Sequence, residues 1–425
     1  DEVFSLLTLT LLIIVLLAEI FTPYLVYLIA PGFYENSEKF DLAVELTRIT
    51  FPFLLFVSLS SFFSGVLNSN NKFAAAAAAP IILNIILIIS LVVSYVLNLD
   101  FAKNLSYSVT LAGLIQLLFL IICTKNYYKP SIKFKIIVKS KLKLFFKKLL
   151  PSIFSSGVTQ INILIGTIIA SFEAGAVSYL YYADRIYQIN LAIAGIAVGT
   201  VSLPILSKAI KRKNIFKTSN IQNRSIELSL LLSIPASLGV IIASEQIVNA
   251  LFGYGSFSKE NIKMTAIALK FFGYGIPAFA LIKVLSNFFF ARNNTKIPFY
   301  LSVFIVALNV SLSLTYFKEV GFIIIPIATS LSTWAGVFVY LVLLNRNRFL
   351  LLQTQLFKNV LKIFFSTILM SLILSLGLDF FTENLDYSNK YKSFYLLFIV
   401  SFVAIIYLIS CYLLGVLKIK NYKLN

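Results

Sequence analysis

Arg185 lies inside an apolar run from Val177 to Leu206, at the end of Ser178-Tyr179-Leu180-Tyr181-Tyr182-Ala183-Asp184-Arg185. Ser178, Tyr181, Tyr182 and Gln188 stand seven, four and three residues before the arginine and three after it, so a helix here puts them on its face. A guanidinium offers paired, charge-assisted donors to phosphate or carboxylate. A charge at mid-bilayer costs roughly 2.5–3.5 kcal/mol on insertion scales, so one that is kept usually faces a cavity and carries function. The pattern points to a polar, anionic passenger crossing a membrane. The bland alternative is a structural ion pair of Asp184 with Arg185, but adjacent residues point about 100° apart on a helix, which favours separate partners.

Other polar residues inside apolar runs extend the set of candidates. Lys283, in Leu281-Ile282-Lys283-Val284-Leu285, lies too deep to reach the interface, whereas Lys270, thirteen residues earlier, can snorkel. Glu19 is a candidate counter-charge for either lysine, and Glu245 reads as interfacial. Gln160 and Asn162 read as hydrogen-bonding glue between helices. Gly195 and Gly199 allow a close helix neighbour, and Pro151, Pro235, Pro277 and Pro326 start or kink helices. The chain has no histidine, and its two cysteines, Cys123 and Cys411, sit in apolar segments. This excludes imidazole chemistry and argues against a thiolate metal site or a disulfide framework. No cofactor is expected, and a coupling ion is left open.

The elements that must position these residues are membrane helices. Of 425 residues 59% are hydrophobic and 12% charged, with mean hydropathy +0.91. Apolar runs of spanning length fall near 3–30, 46–67, 74–98, 105–123, 149–172, 177–206, 226–251, 262–291, 298–316, 321–344, 359–378 and 393–416. The expected fold is an all-α polytopic membrane protein. The first run lacks the basic leader and cleavage site of a signal peptide.

The net charge of +19 is distributed as a topology signal. Links 124–148, 207–224, 292–297 and 345–358 hold nine, six, two and three Lys or Arg, and the tail adds Lys418, Lys420 and Lys423. The alternate links carry acids, among them Glu173, Glu260, Asp379, Glu383 and Asp386. Lysine and arginine bias places both ends of the chain in the cytoplasm. The run Lys133–Lys148, with apolar residues between its lysines, reads as a helix on an anionic leaflet rather than as a nucleic-acid site.

A shift of 225 superposes Pro52 on Pro277, Asn68 on Asn293 and Asn84 on Asn309. The matched spans lie six helices apart, which gives two parallel six-helix repeats. Only four spans precede the second repeat, so the chain reads as about twelve helices of a fourteen-helix protein whose first two are missing. The divisions expected are an N-terminal lobe (1–123), a basic amphipathic link (124–148), a C-terminal lobe (149–345), and two further helices with a tail (346–425).

Leu149-Leu150-Pro151-Ser152-Ile153, Tyr181-Tyr182-Ala183-Asp184-Arg185, Gly199-Thr200-Val201-Ser202-Leu203-Pro204, Lys283-Val284-Leu285, the Ala291-Arg292-x-x-Thr295-Lys296-x-Pro298 break, and Pro31-Gly32-Phe33 followed by Phe51-Pro52 resemble the MurJ (MviN) lipid II flippase family. The likeness runs from residue 1 to at least Leu314. It implies the multidrug/oligosaccharidyl-lipid/polysaccharide exporter fold: two lobes around a cationic cavity, with a lipid-tail groove beside the last two helices. It also implies a bacterial cytoplasmic membrane location, possible association with cell-wall synthesis machinery, and no covalent chemistry. The partners implied are membrane lipids and lipid II, the undecaprenyl-pyrophosphate-linked disaccharide-peptide. Arg185 matches a cavity arginine of that family, with Ser178 and Asp184 in the same motif. Gln188 replaces an acid that the family often carries, and cavity arginines that the family keeps on its first two helices have no counterpart here. Three alternatives stay open: an exporter of the same fold for another lipid-linked oligosaccharide or small amphiphile, a membrane transferase, and a non-transporting scaffold.

Overall fold

The computed structural model describes residues 1–131, 157 and 160–417, and every regular element among them is helical. The chain divides into two units, residues 1–156 and 157–425. The first contains α1 (Glu2–Ile20), α2 (Thr22–Ile29), α3 (Ser37–Thr50), α4 (Phe53–Ser69), α5 (Phe73–Leu97) and α6 (Phe101–Thr124). The second contains α7 (Gln160–Ala170) and α8 (Ala176–Leu191), then a π-helical turn over Ala192–Ala197 leading into α9 (Val198–Lys211). It continues with α10 (Ile215–Phe252), α11 (Lys259–Phe290), α12 (Lys296–Val320), α13 (Ile324–Arg346), α14 (Thr354–Phe380) and α15 (Lys392–Leu413). The basic link from residue 132 onward, the Pro151 helix start and the lysines of the tail lie outside the described residues.

Ten helical stretches among the described residues are long and apolar enough to cross a bilayer. One of them holds both α12 and α13, and α7 is shorter, so each span read from the sequence has a helix. Several helices begin well outside their apolar runs. α10 starts at Ile215, where the Asn214 side chain accepts from Lys217 N at 2.8 Å, and α3 starts at Ser37, capped in the same way by Asn36. Hydropathy detects contact with hydrocarbon, whereas caps and backbone hydrogen bonds carry these helices on through polar turns.

The repeat is visible in the lengths. The α3–α4 stretch has 33 residues and α11 has 32, α5 and α12 have 25 each, and α6 and α13 have 24 and 23. Pro52 separates α3 from α4, while Pro277 sits inside an unbroken α11. Each Asn-rich break turns through a left-handed asparagine, Asn71 at φ 58° and Asn293 at φ 59°.

α11 is the axis of the second unit, packed against α8, α10 and α13. Its proline leaves the Gly273 carbonyl without a helical donor. Ser237 Oγ of α10 donates to that oxygen at 2.8 Å. Nearby, Ser330 Oγ donates to Phe271 O at 2.7 Å, and Trp334 Nε1 to Tyr274 O at 2.9 Å. Neighbouring helices thus satisfy the freed backbone, the condition for keeping proline in a buried membrane helix. The first unit has its own core of Phe4, Phe63, Leu67 and Leu120, with Tyr128 against the phenylalanines.

Candidate functional site

α8 starts after Gly175, which turns at φ 77°, and presents Ser178, Tyr181, Arg185 and Gln188 as one exposed face. The Arg185 guanidinium lies 4.6 Å from the centre of the Tyr181 ring, and Tyr181 is itself 54% exposed. That contact holds the planar cation without using the fork of N–H donors needed to grip an oxyanion. Asp184, half-buried, accepts from Gln188 Nε2 one turn on. Asp184 and Arg185 therefore have separate partners: an amide for the acid and a ring for the base. Tyr182 leaves this face and packs on Phe252 and Phe257, with ring centres at 4.8 and 5.3 Å.

The other candidates spread over several faces. Lys283 is exposed, and its stem runs along Gly195 of the π-helical turn, where a Cβ would lie 3.4 Å from Lys283 Cγ and 3.1 Å from Ala280 Cα. Asn287, one turn further along α11, donates to Gly199 O at 2.8 Å. The two glycines thus let α8–α9 approach α11 closely enough to place Lys283 beside the helix that carries Arg185. Lys270 is exposed too. Thirteen residues separate it from Lys283, which puts the two about 140° apart around an ideal helix, so they do not share a face. Asn162 accepts from Asn309 Nδ2 at 2.8 Å, joining α7 to α12, and Thr329 and Ser313 complete that knot. Gln160 is exposed, and Glu245 is exposed near the end of α10.

Glu19 belongs to the first unit, where its neighbour is Arg48 of α3. Arg48 Nε donates to the Glu19 carbonyl at 3.4 Å, and Glu19 Oε1 is buried without a hydrogen bond among the described residues. Arg48, an exposed cation between apolar turns, was missed by the sequence reading because it sits where α3's polar start gives way to the apolar span. Tyr187 was missed as well. It stacks on Phe272 at 5.3 Å, and its buried hydroxyl has no hydrogen-bond partner among the described residues. It lies on the apolar face of α8 with Ala183 and Leu191, where an aromatic residue reads as core.

Arg292, in the break after α11, is structural. Its Nη1 and Nη2 donate to Phe288 O and Phe349 O at 2.6 and 3.0 Å, and burial pulls its pKa below the usual arginine value. Among the described residues no three Asp, Glu or Cys side chains gather as a metal cage.

A family model described as lipid II flippase MurJ matches residues 1–413. A probable lipid II flippase MurJ of Rickettsia prowazekii (strain Madrid E) is 38% identical over 389 residues, spanning 90% of this chain and 76% of that protein. A lipid II flippase MurJ of Burkholderia cenocepacia is 32% identical over 286 residues, spanning 66% of this chain and 55% of that protein. Among solved structures, a lipid II flippase MurJ in an inward closed conformation superposes with a TM-score of 0.79 at 25% identity, over 96% of this chain and 82% of that one. An inward-facing multidrug resistance MATE family transporter matches with a TM-score of 0.68 at 15% identity, over 82% of this chain and 81% of that one, a likeness of fold alone. With its helices, their duplication and these matches in agreement, the chain belongs to the MurJ lipid II flippase family, a family of multi-pass membrane transporters.

Proposed function

We propose that this protein carries lipid II, the lipid-linked disaccharide-peptide precursor of peptidoglycan, from the cytoplasmic to the outer leaflet of the bacterial cytoplasmic membrane. The supporting observation is the exposed Arg185 guanidinium on a polar face of an otherwise apolar helix, with its N–H fork uncommitted to any carboxylate among the described residues. Lipid II carries a pyrophosphate, and a guanidinium matches such a group with paired donors. Lys283 adds a second cation on the neighbouring helix. Ser178, Tyr181 and Gln188 supply neutral donors and acceptors for the sugar-peptide head. Alternating access by rocking of the two repeats moves the head across while the polyprenyl tail stays in lipid. No covalent bond is made or broken, and no cofactor is required.

The test is the amount of lipid II exposed on the outer leaflet of cells depleted of their own flippase. The wild-type protein is expected to restore exposure, and Arg185→Ala at equal abundance to lose most of it. Correct membrane insertion without restoration by the wild type would overturn the lipid II assignment in favour of another lipid-linked passenger. Equal restoration by both would reduce Arg185 to a structural charge.

A further inference from the structure

At the basic end of the second unit three turns are tied into one platform. In the α13–α14 link, the Phe349 carbonyl accepts from Gln222 Nε2 of α10 at 2.8 Å and from Arg292 Nη2 of the α11–α12 break at 3.0 Å. The Leu351 carbonyl accepts from Ser219 Oγ at 3.1 Å and Asn223 Nδ2 at 2.7 Å. Gln353 closes the knot, its N–H donating to Asn223 Oδ1 at 3.0 Å and its Nε2 to Asn220 Oδ1 at 2.6 Å. The first turns of α10 thus work as a bracket for the link.

What this platform shows to its surroundings is apolar. Ile215 and Phe216 are 73% and 76% exposed, and Leu351 and Leu352 are 55% and 46% exposed. Ile215 and Phe216 stand one turn before Ser219 and Asn220, the residues that hold Leu351 and Gln353, so the two apolar pairs are neighbours. Lys211, Arg212 and Lys213 precede the first pair, and Arg346, Arg348 and Lys358 flank the second, all six exposed. No Asp or Glu occurs in residues 207–226 or 345–378. Glu227, the next acid along α10, is buried and held by Asn359 Nδ2 at 2.9 Å and Arg224 Nη1 at 3.4 Å. An apolar patch inside a cationic rim marks an interaction surface.

Depth and charge choose the partner. Phe357, Leu361 and Phe365 form an exposed apolar stripe that carries hydrocarbon contact to the first turn of α14, and Leu351 and Leu352 lie just outside it. Ile215 and Phe216 stand one further turn out, about 5.4 Å, within the roughly 5–7 Å of headgroups that flank the hydrocarbon of each leaflet. Residues 132–156 and 418–425, outside the described part of the chain, hold lysines and no acid, so the rim repels them as a cover.

We infer that this platform docks onto anionic phospholipid headgroups, Ile215 and Phe216 inserting between them while the lysine and arginine rim holds their phosphates.

Spin-labelled phosphatidylglycerol and phosphatidylcholine, added in turn to the purified protein in phosphatidylcholine bilayers, report how strongly each is retained. The wild type is expected to prefer phosphatidylglycerol at least about fivefold, less so as salt rises. Lys211→Gln, Arg212→Gln and Lys213→Asn combined should weaken that preference at least about threefold, asparagine being chosen because residue 213 has φ 52°. Lys259→Gln with Lys390→Gln, at the acid-rich end, should leave it unchanged. Depth is read from a fluorophore on Phe216→Cys in a Cys123→Ser, Cys411→Ser background, which headgroup-nitroxide lipid should quench. No preference in the wild type, no loss in the triple variant, or an equal loss in the control pair would overturn the inference. An unquenched fluorophore would overturn it too, and would hand the patch to a soluble acidic partner. None of these readouts depends on transport, so the flippase reading stands or falls separately.

Discussion

At the scale of single residues, charge in this protein is sorted by whether its donors are used up. Arg292 spends its fork on two backbone carbonyls and Lys392 spends its ammonium on two more, so both are fasteners. Arg185 rests on a ring and keeps its fork open. If that fork grips a pyrophosphate, Arg185→Lys keeps the charge but loses paired geometry. Its outer-leaflet lipid II exposure should fall about tenfold at matched abundance, less than in Arg185→Ala. Lysine performing as well as arginine would show that a point charge suffices. Lys392→Met should leave the Gly253 and Tyr387 carbonyls without their donor and cost about 1–3 kcal/mol, read as a lower melting temperature of the purified protein. The sequence singled out Arg185 because a charge in an apolar run is conspicuous. It gave no hint of Lys392, which reads as an ordinary interfacial lysine at a helix start. Nor did it show that Tyr182 turns into an aromatic cluster, because residues three apart on a helix still point about 60° apart.

At the scale of elements, close approach rather than water exclusion holds the second unit together, since lipid is as apolar as leucine. The contact between α9 and α11 depends on Gly195 and Gly199 and on the bond from Asn287 to Gly199 O. Gly195→Leu should wedge the α8–α9 rod away from Ala280 and displace Lys283. Stability and lipid II exposure should fall together, while Thr200→Leu on the exposed side of the same rod is tolerated. Unaltered exposure with Gly195→Leu would show that this contact does not position the site. The proline of α11 gives a second test. Ser237→Ala removes the hydroxyl that serves the Gly273 carbonyl and should cost about 1–3 kcal/mol, seen as a lower midpoint of thermal unfolding. Helix positions were legible from hydropathy, and the glycine pair announced a close neighbour. The extra turns at Ser37 and Ile215 and the π-helical turn were not legible, because capping and backbone register leave almost no trace in apolar content.

At the scale of the whole molecule, duplication and charge asymmetry carry separate information. Near-equal helix lengths in α3–α6 and α11–α13, each with a proline and, in the break that follows, a left-handed asparagine, support one ancestral unit used twice. The charges then set which way that unit faces. Arg212, with Lys208, Lys211 and Lys213, sits at the α9–α10 turn, and Glu383 sits with Asp379 and Asp386 at the α14–α15 link. If basic turns stay in the cytoplasm, Glu383→Cys reacts with a membrane-impermeant maleimide in intact cells, and Arg212→Cys reacts only after permeabilisation. The native thiols interfere little, since Cys411 is buried and Cys123 half-buried. The reverse pattern would invert the protein in the membrane. Lipid II would then have to meet Arg185 from the opposite end of α8, and the proposed direction of transport would lose its physical basis.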